Sequence, residues 1–263
     1  MAAAYSRFIA ALMIPSRVTG DLLAGMWQLL CGSVGAVPRT LLWDNESGIG
    51  QRGRLAQGVA GFCGVLGTRI VQARPYDPET KGLVERANGY LGSSFLPGRS
   101  FTSPADFNTQ LKDWLAQVAN VRTHASTHMI PTQALTADRA AMAGLPPIAP
   151  TVGTVITTRL GRDYYVATGA NAYSVHPEAI GRMIAVTVSL DKVVARCGDR
   201  VVADHERVWG TAGLVSDPKH VAAASVLRQQ HLHRPTSPEH LEVEVQIADL
   251  SAYDAVFGTG EVA

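Results

Sequence analysis

The sequence predicts an α/β fold that is followed by a small all-β region and a helical tail. Short apolar runs suited to strands alternate with longer helical patterns up to about residue 145. A proline-rich linker follows at residues 146–150, and beyond it short runs of Val, Ile, Thr and Tyr recur between turn residues. We therefore expect four segments, at residues 1–145, 146–150, 151–209 and 210–263.

Composition excludes several classes of protein. Of the 263 residues, 46% are hydrophobic and 17% are charged, which is unlike an intrinsically disordered chain. The longest clean apolar run, residues 8–14, is far shorter than the roughly 20 residues of a transmembrane helix. The three cysteines do not have zinc-finger spacing, and the first residues lack the basic region of a signal peptide. These features predict a soluble, cytosolic protein.

The first elements of the α/β segment follow in order along the sequence. Residues 8–14 are apolar and are followed by Pro15, which predicts a buried strand that ends there. A helix is predicted from Thr19, with Asp21 in its first turn, where an acidic side chain complements the helix dipole. Residues 39–43 predict a second strand, which ends directly before Asp44.

The rest of this segment is predicted to be mainly helical. A glycine-rich helical stretch ends near Leu66, and residues 68–71 predict a short strand. Helices are then expected at about residues 80–95 and 103–122. The second of these opens with a Ser-Pro pair in favoured capping positions.

Four strands are predicted in the all-β segment from β-branched and aromatic runs bounded by glycine-containing turns. They lie at residues 154–160, 163–168, 184–190 and 193–197. We interpret residues 151–209 as a small β-barrel. A helix at about residues 217–231 and an acidic amphipathic stretch at 239–257 follow it.

The net charge of +1 conceals an uneven distribution of charge along the chain. After residue 235 there are six acidic side chains and no Lys or Arg. Residues 1–235 therefore carry 23 basic against 16 acidic side chains, a balance of +7. Such a body suits a polyanionic partner, although a solvated surface produces the same pattern.

Asp44 is the first candidate for a metal ligand. It stands at the carboxyl end of an apolar strand, which is the edge where ligands bind in open α/β sheets. A carboxylate at this edge can hold a divalent cation, and Asn45 adds another polar group. The alternative is that Asp-Asn forms a turn that ends the strand.

Glu85 is the second candidate. It lies on the predicted helix 80–95, on the side opposite the apolar stripe, together with Asn88 and two glycines. A metal ion and a phosphate backbone have room to approach such a polar side. The alternative is an ordinary first-turn glutamate that complements the helix dipole.

Together these segments resemble a known family. The order strand, helix and strand ending at Asp44, followed by YDPETKGLVERAN at residues 76–88, resembles the DDE integrase core of retroviral integrases and bacterial transposases. Residues 120–132, NVRTHASTHMIPT, are similar to the segment that closes this core in insertion-sequence transposases. NAYSVHP at 171–177 and VADHER at 202–207 resemble the C-terminal barrel of IstA-type transposases.

The resemblance implies a ribonuclease-H-like core, an SH3-like barrel and two-metal phosphoryl transfer. In that chemistry three carboxylates hold two Mg²⁺ or Mn²⁺ ions, which activate a hydroxyl and stabilise the leaving oxygen. Asp44 matches the second carboxylate and Glu85 the third. The first catalytic Asp and the first two strands of the core have no counterpart in this sequence. We therefore expect a partial core that does not transfer DNA strands on its own.

The resemblance also implies partners. These are double-stranded DNA (the ends of a mobile element and its target), the helper ATPase of the same element and, for the intact protein, further copies in a homo-oligomer. A bacterial cytoplasmic protein at the nucleoid, with no membrane partner, is expected. Six residues near the two carboxylates are candidates for DNA contacts: Arg52, Arg54, Arg74, Lys81, Arg86 and Asn88. Their alternative role is that of a solvated surface.

Other functions stay open. One alternative is a remnant that binds DNA or other subunits without catalysis and acts on a complete transposase. Another is a ribonuclease-H-like metal nuclease. His124 and His128 are four residues apart and would suit a metal ion if they were helical. No third ligand is evident near them, which favours roles in the core or in capping.

Overall fold

The computed structural model describes residues 1–44, 46–51, 53–73 and 78–232, of which residues 78–81 are described as backbone only. It has a mixed α/β architecture with several small sheets, and Met1–Ala224 pack as one compact unit. The acidic stretch predicted at residues 239–257 and the residues Asn45, Arg52 and Arg74 lie outside the described residues.

The first part of the chain builds a two-stranded parallel sheet with two helices packed against a shared core. Strand β1 (Thr40–Trp43) pairs in parallel with strand β4 (Arg69–Gln72), from Thr40↔Arg69 to Trp43↔Gln72, so their carboxyl ends lie at the same edge. Leu22, Leu30, Leu41 and Phe62 belong to the core that joins the helices to this sheet. The elements are α1 (Thr19–Leu29), continued by a π-helical turn at Leu30–Val34, β1 (Thr40–Trp43), the hairpin strands β2 (Gly50–Gln51) and β3 (Arg54–Leu55), α2 (Val59–Leu66) and β4 (Arg69–Gln72).

Three further helices precede the β-rich part. They are α3 (Pro78–Tyr90) with a π-helical turn at Leu91–Phe95, α4 (Pro104–Trp114) with a π-helical turn at Leu115–Ala119, and α5 (Pro131–Ala141). The predicted start of α4 is confirmed, because the Ser103 side chain accepts a hydrogen bond from the backbone N–H of Asp106. Phe95 and Trp114 are buried in a second, aromatic core, with their ring centroids 5.5 Å apart.

The strand predicted at residues 8–14 is wrong, because this segment forms only an isolated bridge between Ala2 and Ile9. Two asparagine side chains take the place of a neighbouring strand. Asn120 accepts from the Ile9 N–H and donates to the Ile9 carbonyl, both at 2.9 Å. Asn108 makes the same pair of bonds to Met13, at 2.8 and 3.0 Å. A carboxamide carries both an N–H donor group and an acceptor oxygen, so it can pair with the N–H and the C=O of one residue without a strand.

The β-rich part contains all four predicted strands, and it packs as two sheets around one core. The core takes Val186 and Val193 from the first sheet and Val166 and Tyr173 from the second. The first sheet has the order β10-β9-β8-β5 and the second the order β11-β7-β6. The strands are β5 (Thr154–Arg159), β6 (Tyr165–Thr168), β7 (Asn171–Ser174), β8 (Met183–Val188), β9 (Lys192–Cys197), β10 (Arg200–Glu206) and β11 (Leu214–Val215).

The predicted small barrel is corrected to this pair of sheets, since no ladder closes them into a barrel within the described residues. One reason is that β11 lies beyond the predicted end of the barrel at residue 209. It pairs in parallel with β7, through Leu214↔Ala172 and Val215↔Tyr173, and so occupies one edge of that strand. Helix α6 (Pro218–Leu232) follows and confirms the helix predicted at about residues 217–231.

A buried ion pair joins the first turn of α1 to the segment that follows β10. Asp21 is 1% exposed, and its two carboxylate oxygens accept from the Arg207 guanidinium at 2.6 and 2.9 Å. The Ser16 hydroxyl donates to the same carboxylate at 2.6 Å, and Arg207 also donates to the Ser189 carbonyl at 2.6 Å. The sequence places Asp21 in a helix's first turn, but its main partner is 186 residues away.

We predict that Asp21→Asn destabilises the protein by about 3–5 kcal/mol, because it leaves the Arg207 guanidinium buried without its counter-charge. Urea unfolding followed by circular dichroism measures this change. The matched control is Arg17→Gln, which removes an ion pair with Glu46 in which the arginine side chain is 82% exposed. An exposed pair contributes at most about 1 kcal/mol. Equal losses in the two variants would contradict the role assigned to Asp21.

Candidate nucleic-acid interface and carboxylate site

Asp44 lies at the carboxyl edge of the β1–β4 pair, as the sequence predicts. It follows Trp43, the last residue of β1, and its side chain is exposed. The backbone pairing continues one residue beyond β4, because the Ala73 N–H donates to the Trp43 carbonyl at 2.7 Å. Ala73, the residue after β4, therefore stays beside the end of β1, directly before Asp44 in sequence.

Glu46, two residues further on, is engaged in the fold. Its carboxylate accepts from the guanidinium of Arg17 and, at 3.2 Å, from the indole N–H of Trp43. Its backbone carbonyl accepts from the N–H groups of Ile49 and Gly50. Glu46 therefore fixes the turn after β1, whereas the exposed carboxylate at this turn belongs to Asp44.

Glu85 lies in the second turn of α3, and its side chain is exposed. Asn88 is exposed on the same helix. Within the described ranges, no three His, Cys, Asp or Glu side chains are grouped closely enough to hold a metal ion. Asp44 and Glu85 are both exposed, but neither belongs to a metal-binding group of three such side chains within the described part of the chain.

The predicted DNA-contacting residues fall into different surroundings. Arg54 is exposed on the short hairpin strand β3. Arg86 lines a pocket on α3, and neither Glu85 nor Asn88 lines it. The side chain of Lys81 is outside the described residues, as are Arg52 and Arg74.

That pocket has a strongly basic lining which the sequence did not predict. We call it the arginine pocket and define it by Arg7, Arg86, Arg122 and His124. Its volume is about 320 Å³, and its remaining lining is apolar apart from one serine: Ala2, Ala3, Ile9, Leu83, Ala87, Tyr90, Ala125 and Ser126. The three arginines come from three separate parts of the sequence, so no local sequence motif predicts the pocket.

The positive charge of the arginine pocket affects the pKa of His124. Burial lowers the pKa of its imidazole, and the charges of Arg122, Arg7 and Arg86 lower it further.

His124 and His128 do not form the helical pair that a metal site would need. The backbone N–H of His124 donates to the Met129 carbonyl, and the backbone N–H of His128 donates to the His124 carbonyl. Both distances are 2.8 Å, and the two residues lie in a tight loop.

Several basic residues of the β-rich part are used within the fold. Lys192 pairs with Asp204 at 3.2 Å, and Arg200 pairs with Glu178 at 2.9 Å. Arg159 donates to the Gly181 carbonyl at 3.0 Å. These contacts reduce the positive charge that this region presents to a polyanion.

A buried polar cluster explains the residue types in two of the sequence motifs. The hydroxyl of Ser174 lies 2.9 Å from Nδ1 of His220, and the Ser174 carbonyl lies 2.6 Å from Nε2 of His205. Asp217 is 4.0 Å from Nε2 of His220, and its backbone N–H donates to the Ser174 hydroxyl. Ser174 is 0% exposed and His220 is also buried, so this serine and histidine are closed to a substrate, and the cluster joins the second sheet to α6.

Comparisons with known proteins agree with these motifs. Residues 145–217 match the family model "Mu transposase, C-terminal domain". The transposase for insertion sequence element IS21 of Pseudomonas aeruginosa is 31% identical over 167 residues, which are 62% of this chain and 43% of that protein. The chain is related to insertion-sequence transposases of the IstA type. The resemblance predicted from the sequence is therefore confirmed.

Further relatives define how far this transposase relationship extends. A Geobacillus stearothermophilus protein named as a transposase of insertion sequence element IS5376 is 37% identical over 106 residues, which are 38% of this chain and 26% of that protein. The chain thus spans less than half the length of these two relatives. Among solved structures, a simian T-cell lymphotropic virus intasome in complex with the PP2A regulatory subunit B56 gamma matches with a TM-score of 0.41 and 18% identity, covering 82% of this chain and 71% of that chain. No helix in the described residues is both long and apolar enough to span a membrane.

The buried histidine cluster generates a pH prediction. Burial lowers the pKa of His220, with Asp217 opposing the effect and His205 and His176 adding to it. As the pH falls below the ordinary histidine pKa of about 6.5, the unfolded chain takes up a proton that folded His220 resists. The free energy of unfolding therefore decreases from about pH 6.5 down to the lowered pKa of the folded state.

The measurement is urea unfolding at pH 7.5 and 5.5 for the natural chain and for His220→Gln, a variant that cannot take up this proton. We expect a smaller loss of stability on acidification in His220→Gln. His231→Gln is the control, since His231 is exposed in the last turn of α6 and its variant should behave like the natural chain. An identical acid loss in all three proteins would refute the assignment to His220.

Proposed function

We propose that this chain acts in DNA transposition, by binding duplex DNA and by supplying Asp44 and Glu85 to a catalytic site of the DDE integrase class. The observation that carries the proposal is the sequence match to insertion-sequence transposases at 31% and 37% identity. The ribonuclease-H-like core and the SH3-like character of the β-rich part belong to the same proposal. Two structural features support it: the parallel β1–β4 pair that ends at Asp44, and the exposed Glu85 on α3.

The proposed cation is Mg²⁺ or Mn²⁺, which oxygen ligands suit. When bound, such ions would supply charge stabilisation and an activated hydroxyl in phosphoryl transfer. Asp44 and Glu85 are the side chains proposed to hold them. Two carboxylates do not complete the expected three-carboxylate set, and the described residues contain no group of three His, Cys, Asp or Glu side chains that could hold a metal ion. The chain is therefore proposed to be inactive in strand transfer when it is alone.

The proposed partners are the ends of a mobile element and its target DNA, the helper ATPase of the same element, and further copies of the protein in an assembled complex. Their common ligand chemistry is the phosphate backbone, because the chain without its acidic end carries a charge of +7. A place at the bacterial nucleoid follows from the same proposal.

A non-catalytic role in DNA binding or subunit interaction is the second candidate. It is favoured by the absence of a three-ligand group among the described residues. In this role the chain would bind duplex DNA or a complete transposase and change the activity of that transposase. Adding the purified chain to a joining reaction run by a complete related transposase tests this role, since only a chain that binds DNA ends or subunits alters the rate.

We predict that the purified chain binds duplex DNA with an affinity that falls steeply with salt, as neutralisation of phosphates by Arg and Lys requires. It should not join DNA ends in Mg²⁺ or Mn²⁺. Fluorescence anisotropy with a labelled duplex and a gel-based joining assay measure the two properties. Glu85→Gln should leave the DNA affinity unchanged, as should the control Asp113→Asn, which alters an exposed carboxylate on α4.

Each alternative outcome has a definite meaning. Joining of DNA ends by the chain alone would contradict its proposed inactivity. Metal-dependent cleavage of DNA that Glu85→Gln abolishes, and Asp113→Asn does not, would favour a ribonuclease-H-like nuclease. No binding to duplex DNA even at low salt would overturn the proposed function.

A further inference from the structure

The arginine pocket is formed where three parts of the chain meet. Arg7 comes from the N-terminal segment, Arg86 from α3, and Arg122 and His124 from the loop after α4. The pocket lining includes no Asp or Glu. In the described part of the chain, no ion pair joins any of the three arginines to a carboxylate. Three like charges around one small volume repel one another unless an anion lies between them.

The guanidinium group of Arg122 and the backbone of Arg7 are held in place before any ligand arrives. The guanidinium carbon of Arg122 lies 3.4 Å from the ring centroid of Tyr90, which is a cation–π contact. Arg7 has a backbone φ of 60°, in the left-handed region, and its backbone N–H donates to the Ala3 carbonyl at 3.2 Å. The backbone N–H of its neighbour Ser6 donates to the Asp138 carboxylate. A guanidinium group held like that of Arg122 loses little conformational entropy when it binds a ligand.

One donor of a pocket residue has no partner. The Nε–H of Arg7 is buried and makes no hydrogen bond within the described part of the protein. The guanidinium charge of Arg7 is thus not fully compensated within this part of the fold. An anion in the pocket would offset the repulsion among the three guanidinium groups.

We propose that the arginine pocket binds a phosphate group. Guanidinium groups match phosphate oxygens through paired N–H donors, and several of them around one cavity suit a doubly charged tetrahedral anion better than a carboxylate. A volume of about 320 Å³ admits a phosphate with part of the molecule that carries it. The ligand is a phosphate of the DNA backbone, a choice of source that rests on the proposed function; a free phosphate or a nucleotide is the other source of the same chemistry.

The pocket is a contact point separate from the carboxylate candidates. Leu83, Arg86, Ala87 and Tyr90 line it from α3, whereas Glu85 does not. In an α-helix, residues 83, 87 and 90 share one side, and residue 85 projects from the other. A DNA phosphate held here is therefore bound on a different side of α3 from Glu85, so it anchors the nucleic acid and does not take part in the chemistry proposed for Glu85.

His124 reports on the pocket directly. Burial and the charges of the three arginines hold the pKa of His124 low, so a bound phosphate that neutralises those charges raises that pKa. The experiment follows the imidazole proton of His124 by NMR in a phosphate-free buffer, with the resonance identified by its loss in His124→Gln. The full chain is titrated with inorganic phosphate, and separately with a short duplex.

We expect both ligands to raise the pKa of His124. Arg122→Gln and Arg86→Gln should each weaken phosphate binding about tenfold, as loss of a charge-assisted bond worth about 1.5 kcal/mol implies. Arg86 is exposed, so its variant keeps the test valid if Arg122→Gln disturbs the packing on Tyr90. Arg99→Gln is the matched control, because Arg99 also lies over an aromatic ring, that of Phe95 at 4.8 Å, but does not line the pocket.

The outcomes separate this inference from the proposed function. A duplex that binds and shifts His124, with both effects weakened in the two pocket variants, supports a DNA phosphate in the pocket. A shift with inorganic phosphate but not with bound duplex supports the phosphate site and assigns it to a free phosphate or a nucleotide. DNA binding that leaves His124 unchanged, together with no response to inorganic phosphate, overturns the pocket inference and leaves the proposed function intact. Failure to bind duplex, with a normal phosphate response, overturns the proposed function and DNA as the source of the phosphate, and supports a site for a free phosphate or a nucleotide.

Discussion

The fold of Met1–Ala224 depends on the buried ion pair between Asp21 and Arg207. Both charges are largely removed from water, and two further hydrogen bonds support the pair: the Ser16 hydroxyl donates to the carboxylate, and the guanidinium donates to the Ser189 carbonyl. The close approach at Gly20, the residue before Asp21, also joins α1 to the β-rich part. A Cβ at Gly20 would lie 2.4 Å from Oγ1 of Thr154, so only glycine lets α1 approach the start of β5. Helix α1 in turn carries the core on which the β1–β4 pair rests.

The strands and helices that were predicted correctly are those that local residue patterns specify. Strands β5, β6, β8 and β9 were found because alternating β-branched residues mark them, and α4 because Ser103 and Pro104 occupy capping positions. Residues 8–14 were misjudged because their apolar character is real, while the backbone partners are side chains about a hundred residues away. Whether the sheets close into a barrel likewise depends on which strand edges pair with each other. Strand β11, which pairs with β7, has only two residues, so its sequence pattern does not reveal it.

The candidate site shows the same division. Asp44 was predicted from its position after a strand, and the parallel β1–β4 register places it at the expected edge. The roles of Asp44 and Glu85 as metal ligands remain predictions. The arginine pocket had no sequence signal, because residues 7, 86 and 122 become neighbours only in three dimensions. Counting charges predicted that the body of the chain is basic, but not that Lys192 and Arg200 are paired internally while the pocket arginines have no carboxylate in their lining.

The two asparagines on the α4 side of the molecule also affect how the chain meets other molecules. An extended backbone with free N–H and C=O groups is a template for strands of neighbouring chains and so promotes aggregation. At Ile9 and Met13 both backbone groups are already occupied by the carboxamides of Asn120 and Asn108. A foreign strand would have to displace two bonds at each of these points before it could pair there. The asparagines thus protect an apolar segment from intermolecular β-pairing without making it part of a sheet.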